Sequence, residues 1–64
     1  MSDHSYTMRR VALLREEGAR WDELTRFVDS HQGSVPAQDE LELRRLRAAW
    51  TAAAQALFQF DNPA

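Results

Sequence analysis

The chain has 64 residues, a weak formal net charge of −2, two histidines and no cysteine. Without cysteine, disulfides, thiolate zinc sites and cysteine nucleophiles are excluded. No apolar run approaches a membrane span and no secretory h-region is present, so a soluble cytoplasmic protein is expected. The basic residues are all arginine. That usage fits a GC-rich genome and points to a small bacterial or phage protein.

One small domain is the most such a chain forms. A 7.4 kDa chain exposes ~10,700 Å² unfolded and ~4,200 Å² folded. If ~60% of the difference is apolar, burial contributes ~98 kcal/mol at ~25 cal/mol/Å². Ordering the whole chain costs ~96 kcal/mol. The two terms cancel. With disulfides excluded, the expected remedy is a partner surface, supplied by a second copy or by another protein.

Residues 1–5 are polar and read as a disordered tail. A first helix is expected over about 6–17, with Met8, Val11, Ala12, Leu14 and Leu13 on one face at spacings of three and four. Gly18 ends it, because glycine is costly inside a helix and favourable just past one. A second helix follows over about 20–31. Trp21, Leu24, Phe27 and Val28 form its stripe, and Asp22 pairs with Arg26 four residues on. Gly33 stops it in a left-handed conformation, and His31 in its last turn reads as a partner of the helix dipole.

The third helix is the clearest, over about 36–60. Ser34 or Val35 caps it and Pro36 takes the first helical position, followed by the acids Asp39 and Glu40. Leu43, Leu46, Trp50, Ala53, Leu57 and Phe60 then alternate spacings of three and four, which is a heptad seam. Asp61-Asn62-Pro63 ends it. The fold expected is therefore all-α, a single three-helix domain with two short helices packed along one long C-terminal helix. Trp50, mid-seam, is its expected anchor and Trp21 the residue to meet it.

Leu14 to Val28, with Gly18 between an acidic helix end and Arg20-Trp21-Asp22-Glu23-Leu24, resembles the first two helices of bacterial helix-turn-helix domains. That resemblance implies a recognition helix directly afterwards. Here the connection His31 to Pro36 is longer, and the next helix opens with Asp39, Glu40 and Glu42, which would repel phosphates. Arg44, Arg45 and Arg47 stand a turn too late to offset them, and Arg44 has the spacing to pair with Glu40. Trp21-Asp22, Leu24 and Arg26-Phe27-Val28 are also similar to small enterobacterial regulators of the Hha type, a likeness that implies binding to a nucleoid protein rather than to DNA.

Catalytic signals are sparse. Two glycines cannot make a phosphate loop. His4 lies in the tail, and the neighbours Asp29, Ser30 and His31 point in different directions on a helix. Glu16-Glu17 and Asp22-Glu23 read as solvated caps. No enzyme, cofactor, metal or small-molecule substrate is expected. The function expected is a protein–protein interaction module, either a homodimer or an adaptor, chaperone or inhibitor docking on a larger bacterial or phage partner. The alternative is a small transcriptional regulator binding DNA or a DNA-bound nucleoid protein. The candidate partner-binding residues are the aromatics Phe58 and Phe60, the small residues Ala49, Ala52 and Ala56, and the cations Arg44, Arg45 and Arg47.

Overall fold

Gly18 does not end a helix. The computed structural model describes residues 2–63, and in it α1 runs unbroken over Ser2–Ser30. A turn and a single 3₁₀ turn, Ala37–Asp39, lead to α2 over Glu40–Asp61. The chain is all-α, as expected, but it is an antiparallel two-helix hairpin and not a three-helix domain. The expected tail is corrected with it: Ser2 to Ser5 are helical, and Met1 lies outside the described residues.

The helix continues through Gly18 because residues on both sides of it are held at helical spacing. Trp50 Nε1–H donates to Glu17 Oε2 at 2.7 Å, and the Trp50 ring meets that of Trp21 with centroids 5.0 Å apart. Arg20 bridges Glu16 and Glu23 at 2.7 and 2.8 Å, one turn back and one turn forward. Against these, glycine's penalty of about 1 kcal/mol is small. The seam of α1 contains polar residues, which hid it. Arg10, Leu13, Glu17, Arg20, Leu24, Phe27 and His31 alternate spacings of three and four without a break, and every one of them is at least partly buried.

On α2 the seam from Leu43 to Phe60 is placed as its spacing predicts, each member partly or fully buried. The start of α2 is later than expected. Pro36 is extended (φ −62°, ψ 155°), and Asp39 N–H bonds the Pro36 carbonyl at 2.9 Å, closing a 3₁₀ turn. Asp39 is meanwhile tied to His31, so regular α-helix begins only at Glu40.

The end of α1 is a Schellman motif. Gly33 N–H bonds the Val28 carbonyl at 3.0 Å and Gln32 N–H the Asp29 carbonyl at 2.9 Å. Both Gln32 (φ 55°) and Gly33 (φ 79°) are left-handed. The position that normally takes glycine is therefore held by Gln32, one residue before the expected Gly33.

The resulting shape is a thin plank. Its extents are 50 × 22 × 12 Å, and the thinnest equals the diameter of one helix with its side chains. The radius of gyration is 14.8 Å, against about 11 Å for a compact domain of this length. Among the described residues only Leu24 and Ala53 are buried, each 8% exposed. The hairpin has a seam rather than a core.

Candidate interaction surface

Contacts at three levels fix the two helices in register. At the open end, Arg10 Nε and Nη2 donate to Asp61 Oδ1 and Oδ2, both at 2.9 Å. This fork, first by hydrogen bonding and then by its charge, holds the Asp61 carboxyl below its ordinary value against a smaller opposing effect of desolvation. Beside it, the rings of Tyr6 and Phe60 stack with centroids 4.8 Å apart. In the middle are the Trp21–Trp50 pair and the Glu17 hydrogen bond.

At the loop end, His31 Nδ1–H donates to the Phe27 carbonyl at 2.8 Å, and Nε2–H to Asp39 Oδ2 at 3.1 Å. An imidazole donating through both nitrogens is the protonated form. Its pKa is raised accordingly, chiefly by the Phe27 carbonyl; partial desolvation opposes this, and Asp39 adds to it. His31 thus joins the helices as well as capping α1. Among the described residues, no group of three or more His, Asp or Glu is placed to hold a metal ion.

With the seam closed, each helix turns one flank to each broad face of the plank. On one face α1 presents Val11, Leu14, Gly18, Trp21, Thr25 and Val28, again at alternating spacings of three and four and without a charge. α2 adds Trp50, Thr51, Ala54 and Phe58. Trp21 is 48% and Phe58 66% exposed. A shallow groove of about 450 Å³ runs between the helices here, from Trp21 and Val28 to Trp50, with Asp29 and Arg47 at its rim. A second depression of about 540 Å³ continues it from Trp50 to Phe58.

The other face is charged and neutralised within the chain. Glu16, Arg20 and Glu23 form one cluster, and Arg45 reaches Glu42 at 3.1 Å. It too holds a depression, of about 470 Å³, lined by most of these charged side chains with Leu46, Ala48 and Ala49, and Ala52 and Ala56 are exposed beyond it.

The candidate residues are therefore divided. Phe58 lies on the apolar face, whereas Phe60 lies on the seam against Tyr6. Ala49, Ala52 and Ala56 lie on the charged face. Arg44 pairs with Glu40 at 3.7 Å and Arg45 with Glu42, as Asp22 does with Arg26 at 3.0 Å. Arg47, at the groove, makes no ion pair among the described residues. Glu17 is not a solvated cap but a partly buried acceptor for Trp50.

Val11 and Leu14 joined to Trp21 are the half of the apolar face that a helix broken at Gly18 conceals. The signal for it is the unbroken spacing across Gly18. No turn separates Leu14 from Val28, so the resemblance to a helix-turn-helix does not survive in three dimensions. No helix among the described residues is long and apolar enough to cross a membrane. The chain matches no protein-family model, no curated protein and no solved structure.

Proposed function

We propose that the chain is a small non-enzymatic protein–protein interaction module whose apolar face is its docking surface. The supporting observation is the asymmetry of the plank. One face carries an uncharged stripe from Val11 to Val28 of α1 with Trp21 and Phe58 exposed, and the other carries ion pairs closed within the chain. Exposed aromatics at the edge of a groove are the usual anchors of helix recognition. A folded chain of this mass presents ~4,200 Å² to solvent, and this one presents 5131 Å². The surplus is surface that a partner would cover. The reading suits a cytoplasmic adaptor or inhibitor of bacterial or phage origin, or a chain that meets its own copy.

The test compares the wild-type chain with Phe58→Glu, both checked for helicity by circular dichroism and then immobilised. Each is exposed to lysate of the source cells and to the soluble chain itself. Retention of a protein, or of the chain, by wild type and not by the variant supports the module. Equal retention by both, or none by either, overturns it.

A further inference from the structure

Resting on that reading, we infer that the occupant of the apolar face is a second copy of this chain. The two copies would form a four-helix bundle with both loops at the same end. The outline of the plank's broad side is roughly 1,100 Å² at most, room enough for a stable interface, which takes about 800 Å² from each partner. The surplus surface of the isolated hairpin, roughly 900 Å² over a compact chain of equal mass, is of that same size. Two planks each one helix thick, laid face to face, give the two-layer arrangement in which four-helix bundles close their core.

Charge and side-chain matching then choose the orientation. Trp50 stands level with Glu17 and Trp21, and Asp61 with Arg10, so Phe58 stands level with Val11 and Leu14. A two-fold axis parallel to the helices lays each α1 over α2 of the other copy. Phe58 then covers Val11 and Leu14 of the second copy, and Trp21 meets its Trp50. Arg47 and Asp29 line one groove and have no ion-pair partner among the described residues. By the same register Arg47 stands level with Leu24, so this axis places it in the column of Asp29 of the other copy, about five residues or roughly 7.5 Å short of it along the helix, a gap that the long arginine side chain spans. The alternative two-fold axis, across the helices, puts the loops at opposite ends. Centred near Trp21, so that the two apolar stripes overlap fully, it would set Asp29 against Val11 and leave Arg47 without an acid. The charged face, with Glu16, Arg20, Glu23, Glu42 and Arg45 already paired, stays in water.

The absence of cysteine makes the experiment clean. Light scattering on the purified chain at tens of micromolar should give the mass of two chains. With spin labels on Ser34→Cys in the loop, pulsed electron resonance should give a label separation of about 20–30 Å, because packed helix layers lie only 8–10 Å apart. A separation near 50 Å, the length of the plank, would overturn the same-end arrangement. A charge swap adds a readout that does not depend on a destabilising change. Arg47→Asp and Asp29→Arg should each weaken the dimer at least tenfold, as like charges across an interface do, and the double variant should recover most of it. No recovery in the double variant would sink the pairing. A monomer that still retains another protein through Phe58 would refute the second copy and leave the interaction module standing. A monomer that retains nothing would refute both.

Discussion

The two broad faces of this hairpin are built from the same two helices, yet they solve solvent exposure in opposite ways. On the charged face, long side chains close ion pairs over one turn, Arg20 to Glu16 and Glu23, and Arg45 to Glu42. Surface pairs of that kind contribute little to stability, but they satisfy those side chains within the chain. On the apolar face, Trp21 and Phe58 stand in water beside a groove with no such cover. The difference teaches where the missing stability lies. With only Leu24 and Ala53 buried among the described residues, the seam supplies register, and the apolar face holds the area that a second layer would add.

The largest effect is expected where the two faces meet. Trp50→Ala removes both the stack on Trp21 and the bond to Glu17. Fully buried aromatics cost about 3–5 kcal/mol on truncation and this one is half-buried, so about 2–3 kcal/mol is expected. For a chain this marginal that means loss of helicity in circular dichroism at low concentration. Full helicity and an unchanged melting curve would show that the Trp pair is not what joins the helices.

The next expectation separates the faces directly. Phe58→Glu should weaken association by about 30-fold or more, the loss of one anchor residue, and leave the dilute chain helical. Ala52→Glu, on the charged face, should leave association unchanged in analytical ultracentrifugation. If Ala52→Glu dissociates the assembly and Phe58→Glu does not, the roles assigned to the two faces are reversed.

Smaller changes sharpen the account of α1. A Cβ added at Gly18 meets nothing within 4 Å, so Gly18→Ala should stabilise the isolated chain by about 0.5–1 kcal/mol. A gain in melting temperature would confirm that the helix runs through this position, and a loss would point to a break there. Gln32→Gly, which relieves a left-handed glutamine, should raise the melting temperature by a comparable or smaller amount.

The smallest expected effect is at the loop. His31 has its pKa raised above the ordinary 6.5. Its contribution is therefore fully present below about pH 6.5 and lost as pH rises through the folded value. Melting temperature should fall over that interval, and His31→Gln should flatten the slope. Asp61 works in the opposite sense. Its pKa is lowered, so the Arg10 fork holds above the ordinary carboxylate value and fails as pH falls through the depressed one. A slope that persists in His31→Gln would assign the pH dependence elsewhere.

Helical class, the seam of α2 and the surface pairs Asp22–Arg26 and Glu40–Arg44 were legible in the chain alone. Each depends on spacings of three and four within one helix, which the sequence states directly. The Trp21–Trp50 meeting was legible for the same reason, once two amphipathic stripes had to face one another. The number of helices was not. Local propensity marks Gly18 as a break, and Trp50, reaching across to Glu17 and Trp21 together, joins the Arg20 bridges in outweighing it. The polar members of the α1 seam were hidden too. Arg10 and Glu17 look solvent-facing until Asp61 and the Trp50 indole, 51 and 33 residues away, supply the other half of each bond. The two faces were likewise decided by tertiary structure. Which flank of a helix is seam, and which is left open, is settled only when a second helix has chosen its side.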